Sequence, residues 1–154
     1  MIPGKPQGKA RHRVRVAGSC AQLYQPRAGS TAQWERKAAQ IMGWAWKAQA
    51  PLSGPVSVSV VAVHPRPQRL RKSQPGRVWC VVRPDLDNVI KCCLDALQNA
   101  RVISDDKIVV RIQAEQFWAA EDEEPHTEIN VCDIEATTTR EENEQMDPGT
   151  VGSR

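Results

Sequence analysis

Apolar positions recur along this chain in short periodic segments separated by breaks rich in Pro and Gly. Trp34, Ala38, Ile41, Met42, Ala45 and Trp46 follow helical spacing, which predicts a helix from Ser30 to about Lys47, with Gln33 at capping-box distance from Ser30. Pro51, Gly54 and Pro55 stop it, and Val56 to Val63 then alternates valine with serine at first, as a half-buried strand does. Residues 65–77 are too rich in Pro and basic residues for a core, and Val78 to Val82 reads as a short strand. A second helix is expected from Asn88 to Gln98, burying Val89, Ile90, Cys93, Leu94 and Leu97. Lys107 to Phe117 follows as a strand with Ile108, Val110, Ile112 and Ala114 on one face, and Thr127 to Ile134 as a last strand with Ile129 and Val131 together.

The remainder lacks such periodicity. Residues 1–29 read as a mostly irregular basic arm with only Arg13 to Ala17 as a short strand, and residues 135–154 as a polar acidic tail expected to be disordered. The fold class is therefore α+β: a small mixed β-sheet with two main helices packed on it, in one domain over residues 1–134.

Charge changes the picture. The net +3 conceals two unlike halves: residues 1–83 carry 15 Lys and Arg against the single acid Glu35, and residues 84–154 carry 6 against 17. A basic half of this strength favours phosphate-rich partners, because each phosphate it neutralises releases counterions. The five cysteines show no CxxC spacing, which argues for reduced thiols in an intracellular protein and against zinc. No apolar run approaches the roughly 20 residues needed to cross a bilayer, and the opening MIPGKPQGKARHRVRV lacks a signal peptide's apolar stretch.

The candidate chemistry lies in RPDLDNVIKCCLDAL, residues 83–97, followed by Ser104-Asp105-Asp106. Asp85 is expected on an extended lead-in and Asp87 at the helix N-cap, with Leu86 turned to the core, so that both carboxylates face one cavity. Lys91 follows one turn along on the same face, and Asp95 continues that stripe, placed to orient Lys91. Two carboxylates about 5 Å apart repel by roughly 3 kcal/mol at an effective dielectric of 20, a cost that a hard divalent cation reverses. Asp105 or Asp106 could add a further ligand, and spacing does not choose between them. Against this stands the ordinary role of Asp-x-Asp before a helix, as a cap and turn.

These residues resemble the RusA-type Holliday junction resolvases, the crossover junction endodeoxyribonucleases. The likeness lies in DLDN, the lysine four residues after its second Asp, the DAL ending, and the DD pair opening a strand in ISDDKIVV; the opening IPGKPQGKARHR is also similar. The resemblance implies a homodimer that makes paired cuts in four-way DNA junctions during recombination and repair with Mg²⁺ or Mn²⁺, cytoplasmic and nucleoid-associated, and in some members encoded by prophages. It implies Asp85, Asp87 and Asp106 as metal ligands, Lys91 as a catalytic lysine, and Asp105 as secondary. Cys92-Cys93 and the spacer QNARVIS depart from the usual pattern without touching these positions.

The basic residues Lys9, Arg11 and Arg13 of the arm, with Arg66, Arg69, Arg71, Lys72 and Arg77 of the loop, are the candidate DNA contacts. Trp34, Trp44 and Trp46 are expected in core or dimer packing, and Trp79 in ordinary burial, with stacking on an unpaired base as its alternative. His12, His64 and His126 are expected at surface or turn positions, and Glu121 to Glu124 as a solvated loop. Two other functions compete: a non-catalytic junction- or DNA-binding protein, and another metal-dependent phosphohydrolase acting on flapped DNA or nucleotides.

Overall fold

The structure is a computed structural model that describes residues 1–9, 13–17, 20–24, 28–70 and 75–134. The acidic tail from residue 135, and Arg11, His12, Arg71 and Lys72, lie outside the described residues. The elements run β1 (Ile2–Pro3), β2 (Arg13–Ala17), β3 (Cys20–Tyr24), α1 (Ala28–Trp46), β4 (Val56–His64), β5 (Val78–Trp79), α2 (Leu86–Asn99), β6 (Val109–Trp118) and β7 (His126–Asp133). Five strands form one sheet in the order β1-β7-β4-β6-β5. Here β4 runs parallel to β6 and antiparallel to β7, so the sheet is mixed and two helices pack on it, as the α+β reading expects.

β4 is the centre of the sheet because its alternation puts Val56, Val58, Val60 and Ala62 on one buried face. On that face sit Val89, Cys92, Cys93, Ala96 and Leu97 of α2, Trp34 and Ala38 of α1, and Ile129 and Val131 of β7. The positions 89, 92, 93, 96 and 97 make the i, i+3, i+4 stripe of an amphipathic helix. Ile90 and Leu94 flank that stripe and are only half-buried, and Cys92 and Ala96 take the core positions the sequence reading gave them. Burial pushes the Cys93 thiol up to about 12 and Cys92 further still, which keeps both as inert packing groups.

Several expectations are corrected. The arm is less irregular than its composition suggests: Ile2–Pro3 pairs with Thr127 and His126, and Arg13–Ala17 pairs antiparallel with Cys20–Tyr24. α2 begins two residues earlier than expected, at Leu86, so Asp85 rather than Asp87 is its N-cap. β5 ends at Trp79; Cys80 makes one more bond to the sheet, its N–H to the Gln116 carbonyl at 3.0 Å, before the chain leaves for the cis Arg83-Pro84 bond.

β6 starts at Val109 because Asp106–Ile108 form a 3-10 turn. Val110 and Ile112, expected on one face with Ile108 and Ala114, are 62% and 45% exposed; the pairing with β4 shifts register between Val109 and Arg111, passing over Val110, and β5 covers only the far end of β6 at Phe117 and Trp118. Trp44, at 73% exposure, is not core.

His64 and His126 are buried rather than at the surface. Burial, helped by the charge of Lys5, lowers the His64 pKa, and its ring meets Trp118 edge-on. No helix among the described residues is long and apolar enough to cross a membrane.

Leu97, at the end of the α2 stripe, is almost fully buried in this single core. Leu97→Ala is expected to destabilise the fold by about 2–5 kcal/mol. A urea titration checks this through its midpoint, and an unmoved midpoint would show that α2 is not held by this stripe.

Candidate active site

The first turn of α2 positions the acidic run. Asp85 is extended, at φ −66° and ψ 143°, and its carbonyl accepts the N–H groups of Asn88 and Val89 at 3.0 and 3.2 Å. Its carboxylate, however, makes no capping bond. The ordinary reason for an Asp at this position is therefore missing, and the carboxylate is left exposed. Asp87 lies in the first turn of the helix, where its charge suits the helix dipole, and Lys91 is one turn further on; both are exposed. With 89, 92, 93, 96 and 97 facing the core, 87 and 91 are turned outward.

The second acidic pair divides its roles. Asp105 caps the 3-10 turn, accepting the Lys107 N–H at 3.0 Å, and its carboxylate lies 3.5 Å from the Lys107 ammonium. That backbone bond, then the lysine's charge and contact with the Asp106 carboxyl, hold the Asp105 pKa low. Asp106 is the first residue of the turn, is exposed, and rides on a segment packed against α2. Among the described residues, no three His, Cys, Asp or Glu side chains are gathered into a ready metal-binding group. The donor chemistry still suits a hard divalent cation, because Mg²⁺ is commonly held by one or two carboxylates with waters and phosphate oxygens completing its shell. A cleft of about 620 Å³ lined by Met1, Pro3, Pro75 and residues 120–126 contains none of these residues, so a concave surface alone would not have located them.

The N-terminal arm is built into the site's foundation. The Lys9 N–H donates to the Asn88 carbonyl at 2.9 Å, and the Thr31 hydroxyl to the Gly8 carbonyl at 3.3 Å. A side chain at Gly8 would place its Cβ 2.7 Å from that of Pro84 and 3.2 Å from that of Asn88, the two residues that bracket Asp85 and Asp87. The Lys9 ammonium joins Glu35 of α1, at 3.2 Å, to Asp95 of α2, and these two carboxylates, Asp95 foremost, raise its pKa. Two expectations fall here. Lys9 is a fastener rather than a free DNA contact, and Asp95 serves Lys9 instead of orienting Lys91. Sequence spacing could not show this, because residues 9, 35 and 95 meet only through the fold.

Other basic residues are also committed. Arg66 donates to the carbonyls of Gly76, Ala119 and Leu70 at 3.0, 2.7 and 2.8 Å. Arg77 forms a fork on Glu123 and reaches Glu128. The bond to Arg77 lowers the Glu123 pKa most, so the acidic turn is a docking point for that arginine and not merely a solvated loop. Arg69 is exposed in a short 3-10 turn (Gln68–Leu70), and Arg13 opens β2. Trp79 is neither buried nor alone: it is 63% exposed and stacks on Phe117 at 4.4 Å between centroids, with the Arg77 guanidinium 5.9 Å from the Phe117 ring.

The start of α2 thus carries exposed carboxylates at Asp85 and Asp87 and an exposed Lys91, on a helix packed against a mixed sheet. The family profile described as "Endodeoxyribonuclease RusA" matches residues 3–132, and the chain belongs to this endodeoxyribonuclease family. The chain is also similar to "Uncharacterized protein YqaN" of Bacillus subtilis (strain 168), at 30% identity over 92 residues, covering 55% of this chain and 62% of that protein.

Gly8→Ala is expected to destabilise the protein by about 1–3 kcal/mol through overpacking against Pro84 and Asn88. A lowered urea midpoint checks it, and an unchanged one would mean that the arm does not seat on α2.

Proposed function

We propose that this chain is a structure-selective endodeoxyribonuclease that resolves four-way DNA junctions as a homodimer, by paired metal-dependent hydrolysis of phosphodiesters. The observation that carries this reading is the Asp85 carboxylate, placed at a helix N-cap yet bonded to none of the helix's N–H groups, in a chain of the RusA family. Asp85 and Asp87, joined by Asp106, would hold Mg²⁺, with Mn²⁺ able to replace it. Bound there, the ion would supply Lewis acidity toward a phosphoryl oxygen and a water of lowered pKa. The chain's own residues do the rest.

Lys91 adds a fixed positive charge beside the phosphate, where negative charge grows as the bond breaks. The outward rotation of α2 presents these groups to a substrate too large to enter a pocket. Arg69, with Arg71 and Lys72 of the same loop, and Arg13 with Arg11 of the arm, hold phosphates without reading sequence. A two-fold pair suits the task, because a four-way junction is itself approximately two-fold symmetric.

Asp85→Asn and Asp87→Asn proteins are expected to bind a synthetic four-way junction while losing Mg²⁺-dependent cleavage. Cleavage at the wild-type rate would remove these carboxylates from the reaction. A binding-only reading is favoured by one observation, that no three donors are already gathered among the described residues. It predicts no metal-dependent product from any four-way, flapped or linear DNA.

Arg69→Ala is expected to weaken junction binding and to lower the slope of log affinity against log salt by about one. An unchanged slope in a filter-binding series would take this loop off the DNA surface.

A further inference from the structure

One aromatic pair stands apart from the core that holds α2. Trp79 is 63% exposed on the outermost strand of the sheet, and its ring stacks on Phe117 of β6 at 4.4 Å between centroids and 28° between planes. The two residues are direct cross-strand partners, so they share one face of the sheet. That face is the one away from the helices. Val58, Val60 and Ala62 of β4, which lie in the core with α1 and α2, pair with Ile112, Ala114 and Gln116, and Phe117 is the next residue along, turned the other way. By the same alternation Cys80 turns inward and is buried, while Val81, two residues after Trp79, is 87% exposed.

The indole is backed by fixed groups. Phe117 covers one side of it, the Arg77 guanidinium lies 5.9 Å from the Phe117 ring, and Arg77 is in turn held by Glu123 and Glu128. A ring already stacked on its neighbour has less rotamer freedom to lose when a ligand arrives. A flat aromatic ligand can extend such a stack, and a nucleobase is one, because every base has a π face. Cations suited to the phosphates that accompany a base flank Trp79 in the chain: Arg69 and Arg83 are both exposed, and neither has an ion-pair partner among the described residues. Asp85 follows Trp79 by six residues, a reach of at most about 22 Å.

We infer that Trp79, backed by Phe117, is a stacking platform for a nucleobase freed from pairing at a branch in the DNA, and that it sets the preference for branched DNA over linear duplex. This deepens the reading of a junction nuclease and rests on it for its purpose. The carboxylates of the site are carried by α2 on one side of the sheet, and Trp79 lies on the other, so DNA that meets both must turn round the edge formed by β5. A linear duplex is too stiff to do so, with a persistence length of about 150 base pairs. A strand leaving a branch turns freely. Its base is also cheaper to take out of the stack than one held in a continuous duplex.

The test is fluorescence anisotropy of the full chain, without divalent metal, on a labelled four-way junction and on a linear duplex of the same sequence. Trp79→Ala is expected to weaken junction binding about tenfold and to leave duplex binding unchanged. Trp79→Phe should keep most of the preference, and Trp79→Leu, apolar but without a π face, should lose it, with circular dichroism showing all three variants folded. A second readout is photocrosslinking from 5-iododeoxyuridine at the branch nucleotides, which should label Trp79 in the junction and not in the duplex. Equal losses on both DNAs, no loss on either, a leucine variant as selective as the phenylalanine one, or a crosslink that bypasses Trp79 would each overturn the platform. Cleavage by the wild type in Mg²⁺ is read separately. A protein that cuts nothing but shows the Trp79 pattern would sink the nuclease reading and leave the platform, and one that cuts junctions without the pattern would do the reverse.

Discussion

Everything at the candidate site depends on how α2 is rolled against β4. The contact of Val89, Cys92, Cys93, Ala96 and Leu97 with the valines of β4 removes one face of the helix from water, and that single constraint sets the direction of the opposite face. Asp87 and Lys91 point outward because the residues between and beyond them must point inward. The adjacent cysteines belong to this packing. Their thiols are small enough to fit between sheet and helix, and burial keeps them from acting as nucleophiles or ligands.

Roll alone does not fix the helix along its axis or its entry, and the N-terminal arm supplies what is missing. Gly8 lies against Pro84 and Asn88, the Lys9 amide is tied to the Asn88 carbonyl, and the Lys9 ammonium ties α1 to α2 through Glu35 and Asp95. A chain segment that composition alone would send to the DNA is thus partly a structural brace. Its charge is spent inside the protein, where two carboxylates would otherwise face each other.

How much of this could be read from residues alone varies with the distance over which each cause acts. The helices, β4, β6 and β7 were legible to within a few residues, because apolar period is a local signal that burial enforces. The N-cap was misplaced because Asp85 and Asp87 are equally good caps by type, and only the backbone decides between them. The exposure of Val110 and Ile112 was not legible, because alternation says which side chains lie together and not whether anything covers them. Lys9, Arg66 and Arg77 were assigned to DNA by charge, while partners remote in sequence claim them in the fold. One clue to the Lys9 cluster did exist: Glu35 is the only acid in the first 83 residues, and a lone carboxylate in so basic a stretch implies a specific cation beside it.

The three carbonyls gripped by Arg66 bear on what the neighbouring loop can do. Leu70, Gly76 and Ala119 are drawn to one guanidinium, so the two stems of the basic loop and the end of β6 share an anchor. Conformational freedom lost at these stems is lost on folding and is not lost again when nucleic acid arrives. On the proposed reading, the cation at the base of the loop would favour binding by shrinking an entropy penalty rather than by a contact of its own.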